Sequence, residues 1–256
     1  MNTAKLLQDK VAIVTGAGRG LGEAIARAYA AEGAKVIVSD IDAASAQKVA
    51  ASLPGATAMA CDVRVPEQVE ALVAAAVKQH GRLDIMVPNA GIGTLSPLAA
   101  TSYEQWREVT SVNLDGVFLC IRYAAPALIA AGGGAIVTMA SVTAKGAVPL
   151  IGSYAAAKAG VMSLTQTAAV ELRAHNVRVN AILPAFIETD MVKPRKKEFE
   201  QLLNIPDFDA VIAQRQGRYG TPEEVANLAV FLASERASFS NGSGFVLDGG
   251  VSSSLL

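Results

Sequence analysis

Apolar, β-branched runs recur along the chain at residues 11–15, 35–39, 57–61, 84–87, 135–139, 177–182 and 244–247. Their apolar residues are continuous, the pattern of strands covered on both faces rather than on one. Between most of them lie segments of helical length, among them 22–32, 66–79, 103–131 and 153–174. Strands of this kind alternating with helices predict an α/β fold, a single doubly wound parallel sheet with helices on both faces. No Pro/Gly/Ser-rich linker or internal repeat divides the alternation, so residues 1–256 read as one domain. The least regular stretch is 185–220, which contains the dense charge run 193–200 and follows the sixth strand. Open parallel sheets take ligands at the carboxyl ends of their strands, so this stretch is placed to act as a substrate lid.

Composition narrows the partners. Lys and Arg together number 22 against 23 Asp and Glu, a formal charge of -1 that offers no field for nucleic acid or an anionic membrane. The uncharged stretch 123–144 is long enough to cross a bilayer, but Gly132, Gly133 and Gly134 cut it into a helix end and a β-rich run at 135–139. A buried helix, turn and strand is expected there, with no membrane partner. Residues 1–10 contain no apolar signal-like core. Cys61 and Cys120 lack the spacing of a metal or redox motif and read as core thiols of a cytoplasmic protein in a reducing compartment. His80 and His175 fall in or after helix ends and fit no metal site, so no metal is expected.

The first candidate chemistry lies where the first strand runs into Thr15-Gly16-Ala17-Gly18-Arg19-Gly20-Leu21-Gly22 and a helix follows. Glycines let such a turn adopt positive φ and let the backbone approach a pyrophosphate, whose charge the helix N-terminus favours. The turn therefore points to a dinucleotide, with Gly16, Arg19, Gly20, Leu21 and Gly22 as its contacts. The second strand ends at Asp40, followed by Ile41, at the spacing where a carboxylate accepts hydrogen bonds from an adenosine ribose. Asp40 would repel a 2′-phosphate, which favours NAD. Arg19 pulls the other way, because a guanidinium there could pair with such a phosphate, and it keeps NADP open.

Further motifs stand at the strand ends in order. Asp62-Val63 follows the third strand, Asn89-Ala90-Gly91 the fourth and Ser141 the fifth; Asn113 stands in Ser111-Val112-Asn113. Tyr154-x-x-x-Lys158, the stretch 184–189 after the sixth strand and Asp248-Gly249-Gly250 complete the set. With the Thr-Gly-x-x-x-Gly-x-Gly spacing of the first turn, the chain resembles the short-chain dehydrogenase/reductases, a Rossmann-like family, over nearly its whole length. The resemblance implies that Asp62 and Val63 hold the adenine and that Asn89, Ala90 and Gly91 line the cofactor cleft. It places Pro184, Ile187 and Thr189 at the nicotinamide. It also implies a homotetramer paired through helices 103–131 and 153–174. Three residues depart from the family pattern: Pro88 before Asn89, Ala140 for the first Ser of a frequent pair, and Ala185 for the Gly after Pro184.

Tyr154 and Lys158 lie four apart in a helical segment and so share a face. A phenol with a pKa of about 10 is a poor base at neutral pH. One positive charge at about 4 Å, with an effective dielectric near 20, supplies about 4 kcal/mol, so Lys158 beside an oxidised nicotinamide is sufficient to lower it. Tyr154 is thus the candidate acid/base, taking a proton from an alcohol or giving one to a ketone, with Ser141 holding the same oxygen. Asn113 is a poor helix former in a long helical segment; by the resemblance it is a polar break that holds a water between Lys158 and solvent.

The expected substrate is a small or medium apolar ketone or secondary alcohol. Its walls are Val142, Val148, Pro149, Leu150, Ala185, Phe186, Met191 and Val192. Lys193, Arg195, Lys196 and Lys197 read as a solvated lid face, with contact to an anionic substrate as the alternative. Two rival functions are a 3-oxoacyl-carrier or acyl-CoA reductase and a non-catalytic dinucleotide sensor. A carrier-dependent relative would present basic residues to an acidic carrier, whereas 124–134 has no Lys or Arg, and Val170 stands where an arginine would be expected. A sensor would be expected to lose the tyrosine or the lysine.

Overall fold

The computed structural model describes residues 5–253; the first four residues of the segment read above for a leader lie outside the described residues. In chain order the elements are β1 (Val11–Thr15), α1 (Gly20–Ala31), β2 (Lys35–Asp40), α2 (Ala43–Ala51), β3 (Thr57–Ala60), α3 (Pro66–His80) and β4 (Ile85–Val87). They continue with α4 (Tyr103–Thr110), a π-helical turn (Ser111–Asp115), α5 (Gly116–Ala130), β5 (Gly134–Met139), α6 (Gly152–Leu172) and β6 (Val177–Pro184). Last come α7 (Lys196–Leu203), α8 (Phe208–Gln216), α9 (Pro222–Ala233) and β7 (Gly244–Leu247). All seven apolar runs are strands, paired in parallel in the order β3-β2-β1-β4-β5-β6-β7.

The continuity of those runs has a direct cause. Successive strand side chains point to opposite faces, and here both faces are covered. Val11 and Ile13 of β1 pack with α3 and α5, whereas Ala12 and Val14 pack with α1 and α9. The same layering accounts for the uncharged stretch 123–144. Leu119, Cys120, Ala124 and Leu128 of α5 are buried against the sheet, Gly132 and Gly133 turn the chain at positive φ, and β5 begins at Gly134. Cys61 and Cys120 are free thiols of this same layer, and burial pushes both up, Cys61 to about 11.

Two expectations change in detail. The helix expected at 103–131 is interrupted by the π turn, which contains Asn113. The irregular stretch 185–220 has a small core of its own, in which Phe199, Phe208 and Ile212 are buried with Leu95, Ile151 and Phe186 packed against them. Phe186, read as a pocket wall, is the anchor of that cluster, edge-on to Phe208 at 5.3 Å and to Phe199 at 6.1 Å. Its backbone donates to Gln216 Oε1 (3.0 Å) and accepts from Gln216 Nε2 (2.8 Å), which fixes where the segment leaves the sheet.

The strand order reverses between β1 and β4, and their carboxyl ends open the crevice in which such sheets take ligands. Pro88, with no N–H to give, stands where the ladder of β4 stops, and Thr15 takes over. Its Oγ1 accepts from Asn89 N (3.1 Å) and Ala90 N (3.2 Å) and donates to the Val87 carbonyl (3.4 Å). Asn89 Nδ2 answers by donating to the carbonyls of Thr15 (2.8 Å) and Gly16 (3.1 Å). Thr15→Val keeps the shape and leaves these buried N–H groups without an acceptor, so it should cost about 2–4 kcal/mol. Thermal unfolding should show this as a midpoint lowered by about 2–4 °C per kcal/mol; an unchanged midpoint would show that the hydroxyl does not hold the crevice together.

Candidate active site

The glycine turn at the end of β1 has the shape of a phosphate cradle. Gly16 (φ 61) and Gly20 (φ 59) occupy the left-handed region, and a β-carbon on Gly16 would come within 2.7 Å of the Ala90 Cα. A β-carbon on Gly22 would meet the Gly16 carbonyl at 2.2 Å. Helix α1 begins after Arg19, whose side chain does not cap it, so Gly20, Leu21 and Gly22 present the open end of the helix. At the end of β2, Asp40 accepts from Gly18 N (2.9 Å) through one oxygen and from Asp42 N (3.0 Å) through the other. Ile41 beside it is 64% exposed. Arg19 is exposed, and its charge helps to hold the Asp42 carboxyl low, after the larger effect of the Ser45 hydrogen bonds.

At the end of β3 the two expected adenine residues behave differently. Asp62 lies at the rim and binds the Arg64 guanidinium at 2.6 Å. The Val63 side chain turns into the core against Gly116, where a β-carbon would lie 2.7 Å from Val63 Cγ2. Beyond β6, Ile187 is buried under Gly220, and Thr189 accepts from Val192 N and Lys193 N to start the 3-10 turn Lys193–Arg195.

The four expected catalytic residues stand on three elements, α6, the π turn and the end of β5. Lys158 on α6 is buried and donates to the Met139 carbonyl at the end of β5 (2.8 Å), with its Nζ 5.4 Å from the centre of the half-buried Tyr154 ring. A β-carbon on Gly91 would lie 2.7 Å from Asn113 Oδ1 and 3.6 Å from Lys158 Nζ, so the approach of these groups requires a glycine there. Asn113 Nδ2 donates to the carbonyls of Ile92 (2.8 Å) and Val109 (2.9 Å). Its Oδ1 is buried and has no partner among the described residues. Ser141, after β5, accepts from Thr143 N (3.2 Å), and its Oγ lies 3.5 Å from the Pro184 carbonyl, to which it donates. The glycine cradle abuts Ala90, and the Asn113 oxygen and the Lys158 ammonium approach the adjacent Gly91, an arrangement that fits a dinucleotide. Thr15 was not singled out in the sequence, although a Thr placed before a glycine turn is a visible signal.

Burial and charge oppose each other at Tyr154. Burial pushes its phenol up to about 12, with the Ser141 hydroxyl pulling it down, and burial pushes the Lys158 ammonium down to about 8. The Lys158 ammonium, 5.4 Å from the ring centre, favours the phenolate and so opposes burial. Burial outweighs this, so Lys158 alone does not bring the phenol to neutral pH. The further lowering falls to positive charge taken up in the crevice.

The chain is similar to known oxidoreductases along nearly its whole length. A family model described as enoyl-(acyl carrier protein) reductase matches residues 16–252. The chain is 41% identical over 250 residues to a cyclohexanol dehydrogenase of Acinetobacter sp. (strain SE19), covering 96% of each chain. It is 39% identical over 251 residues to a 3-oxoacyl-[acyl-carrier-protein] reductase of Thermotoga maritima, covering 96% of this chain and 98% of that one. The crystal structure of a short-chain type dehydrogenase/reductase from Mycobacterium marinum superposes with a TM-score of 0.88 at 35% identity, over 97% of both chains.

The depressed lysine makes a stability prediction. Between about 8 and its ordinary 10.5, Lys158 binds fewer protons folded than unfolded, so its burial destabilises the protein below pH 8 and that penalty fades as pH rises. Lys158→Met should therefore be more stable than wild type at pH 7 without cofactor, by about 3 kcal/mol, and the advantage should vanish toward pH 10.5. Chemical denaturation across this range checks it; a variant less stable at pH 7 would show that the ammonium is compensated.

Proposed function

The chain belongs to the short-chain dehydrogenase/reductase family, and we propose that within it this protein moves a hydride between a nicotinamide cofactor and a secondary alcohol or ketone, with Tyr154 transferring the proton. One observation carries the reading: the Asn113 oxygen and Lys158 stand against Gly91, with the Tyr154 ring beside Lys158 and Ser141 within reach of its phenol, next to the glycine cradle at Ala90. The nicotinamide, when bound, accepts or supplies the hydride. Tyr154 takes the proton of the alcohol as it is oxidised, or gives one to the ketone oxygen as it is reduced. Ser141, fixed at the end of β5, holds that oxygen in line. Lys158 is oriented by the Met139 carbonyl and offsets part of the cost of a buried phenolate. The assembled set speaks against a non-catalytic sensor.

The cofactor reading is NAD. Asp40 is held in place by two backbone donors and is followed by Asp42, so a 2′-phosphate would meet two carboxylates. Arg19, the residue that could favour NADP, contributes its charge toward Asp42. The Thermotoga maritima relative supports a second reading, reduction of a carrier-bound 3-oxoacyl group. Against it, the end of α5 and its turn carry no Lys or Arg, and Val170 on α6 is 60% exposed as an apolar surface residue. An acidic carrier would find no basic patch there.

Two variants test these assignments. Tyr154→Phe should lower kcat by about 100-fold or more while leaving the cofactor dissociation constant within about twofold, because the ring remains and the proton donor is gone. A variant that keeps more than a few per cent of turnover would exclude Tyr154 as the acid/base. Asp40→Ala should reduce the preference for NAD over NADP by about tenfold in kcat/KM. Wild-type protein that already uses NADP better would overturn the NAD assignment.

A further inference from the structure

Four basic side chains stand together after β6, and three are accounted for within the protein. Lys193 pairs with Glu188 at 3.1 Å, Lys196 pairs with Asp209 at 2.6 Å and lies over the Tyr219 ring at 4.6 Å, and Lys197 is exposed to solvent. Arg195 differs from all of them. It ends the 3-10 turn Lys193–Arg195 and is half-buried. Among the described residues it has no carboxylate within ion-pair distance. Its guanidinium reaches inward over Gly93, where a β-carbon would lie 3.2 Å from Arg195 Nη1 and 3.9 Å from Tyr154 Cδ2. The free guanidinium and the acid/base ring thus flank the same glycine.

A partly buried guanidinium with no carboxylate partner keeps its donors available to an anion brought in by a ligand. Its planar fork of donors matches a carboxylate, which it takes through two parallel hydrogen bonds. We infer that Arg195 is the specificity residue for a carboxylate on the substrate, so that the alcohol or ketone proposed above is a hydroxy or oxo acid. The inference rests on that reading for the reacting group and adds the second point of attachment. Because Arg195 and Tyr154 border one residue, the carboxylate must lie only a few bonds from the carbinol carbon. That separates it from a carrier arm, whose phosphate is many bonds from the reacting carbonyl. The apolar substrate expected from the sequence is thereby given an anionic end.

The test uses β-, γ- and δ-hydroxy carboxylates, their methyl esters, cyclohexanol and a β-hydroxyacyl-CoA thioester, each with NAD and with NADP. Wild-type protein should favour at least one free acid over its ester by about tenfold or more in kcat/KM. Arg195→Gln should bring that acid down to the level of its ester and leave the ester within about twofold of wild type. The ester serves as the control that the variant is folded. An acid preference that survives Arg195→Gln, or esters and cyclohexanol used as well as the acids by wild type, would overturn the inference while leaving the oxidoreductase reading intact. A thioester used better than every free acid, and dependent on Arg195, would assign the guanidinium to a phosphate and also overturn it. No turnover of any alcohol with either cofactor would overturn the underlying reading and this inference with it.

Discussion

A single ammonium, that of Lys158, is buried at the carboxyl end of the sheet with one backbone carbonyl as its partner, and the site is arranged around it. Charge without a carboxylate nearby is costly to bury. The neighbours that make the cost bearable are those that give the crevice its chemistry. Met139 offers its carbonyl where β5 ends, Gly91 keeps a side chain out of the space, and Asn113 brings an unpaired oxygen to the same point. The π turn at Ser111–Asp115 belongs to this arrangement, since it contains Asn113 and gives it hydrogen-bond contact with both Ile92 and Val109. A lysine tolerated at this expense in stability points to a role in function, as strained or destabilising groups gather at working sites.

The crevice has a rigid half and an adaptable half. The cofactor half is locked by reciprocal hydrogen bonds between Thr15 and Asn89, which replace the strand ladder where Pro88 can give no N–H. Tyr154 and Lys158 are carried on the long helix α6, and Ser141 at the end of β5. In the proposed reading, the residues that would face the substrate from the other side stand on the 185–220 segment, whose three-phenylalanine cluster and Gln216 contacts hold its base while the turn with Arg195 leans over Gly93. On that reading proton transfer would depend on the sheet and α6, and selectivity on a segment with its own small core.

Much of this was legible in the chain. Strands buried on both faces announce themselves as continuous apolar runs, so all seven were found, and the Gly, Asp, Asn, Ser and Tyr-Lys motifs fall at their carboxyl ends because a parallel sheet brings those ends to one side. What was not legible depends on where a side chain turns. Val63 sits in a motif read as adenine-binding, yet its side chain packs under Gly116. Phe186 looked like pocket wall, and its ring anchors the lid cluster. The π turn adds a change of hydrogen-bond register that has no composition signature beyond the awkward Asn113. Arg195 is one of several cations in a charge run, and only its approach to Gly93 and Tyr154 sets it apart from Lys193 and Lys196.

Tyr154 can act as a base near neutral pH only if its phenol ionises well below the value of about 12 that burial gives it. Titration of phenolate absorbance, taken as wild type minus Tyr154→Phe in protein saturated with oxidised nicotinamide, reads this directly. Ionisation at a pH lower than in the cofactor-free protein by roughly 2 or more is the predicted result. A phenol that still ionises near 12 in an enzyme oxidising its alcohol at neutral pH would contradict proton transfer by Tyr154.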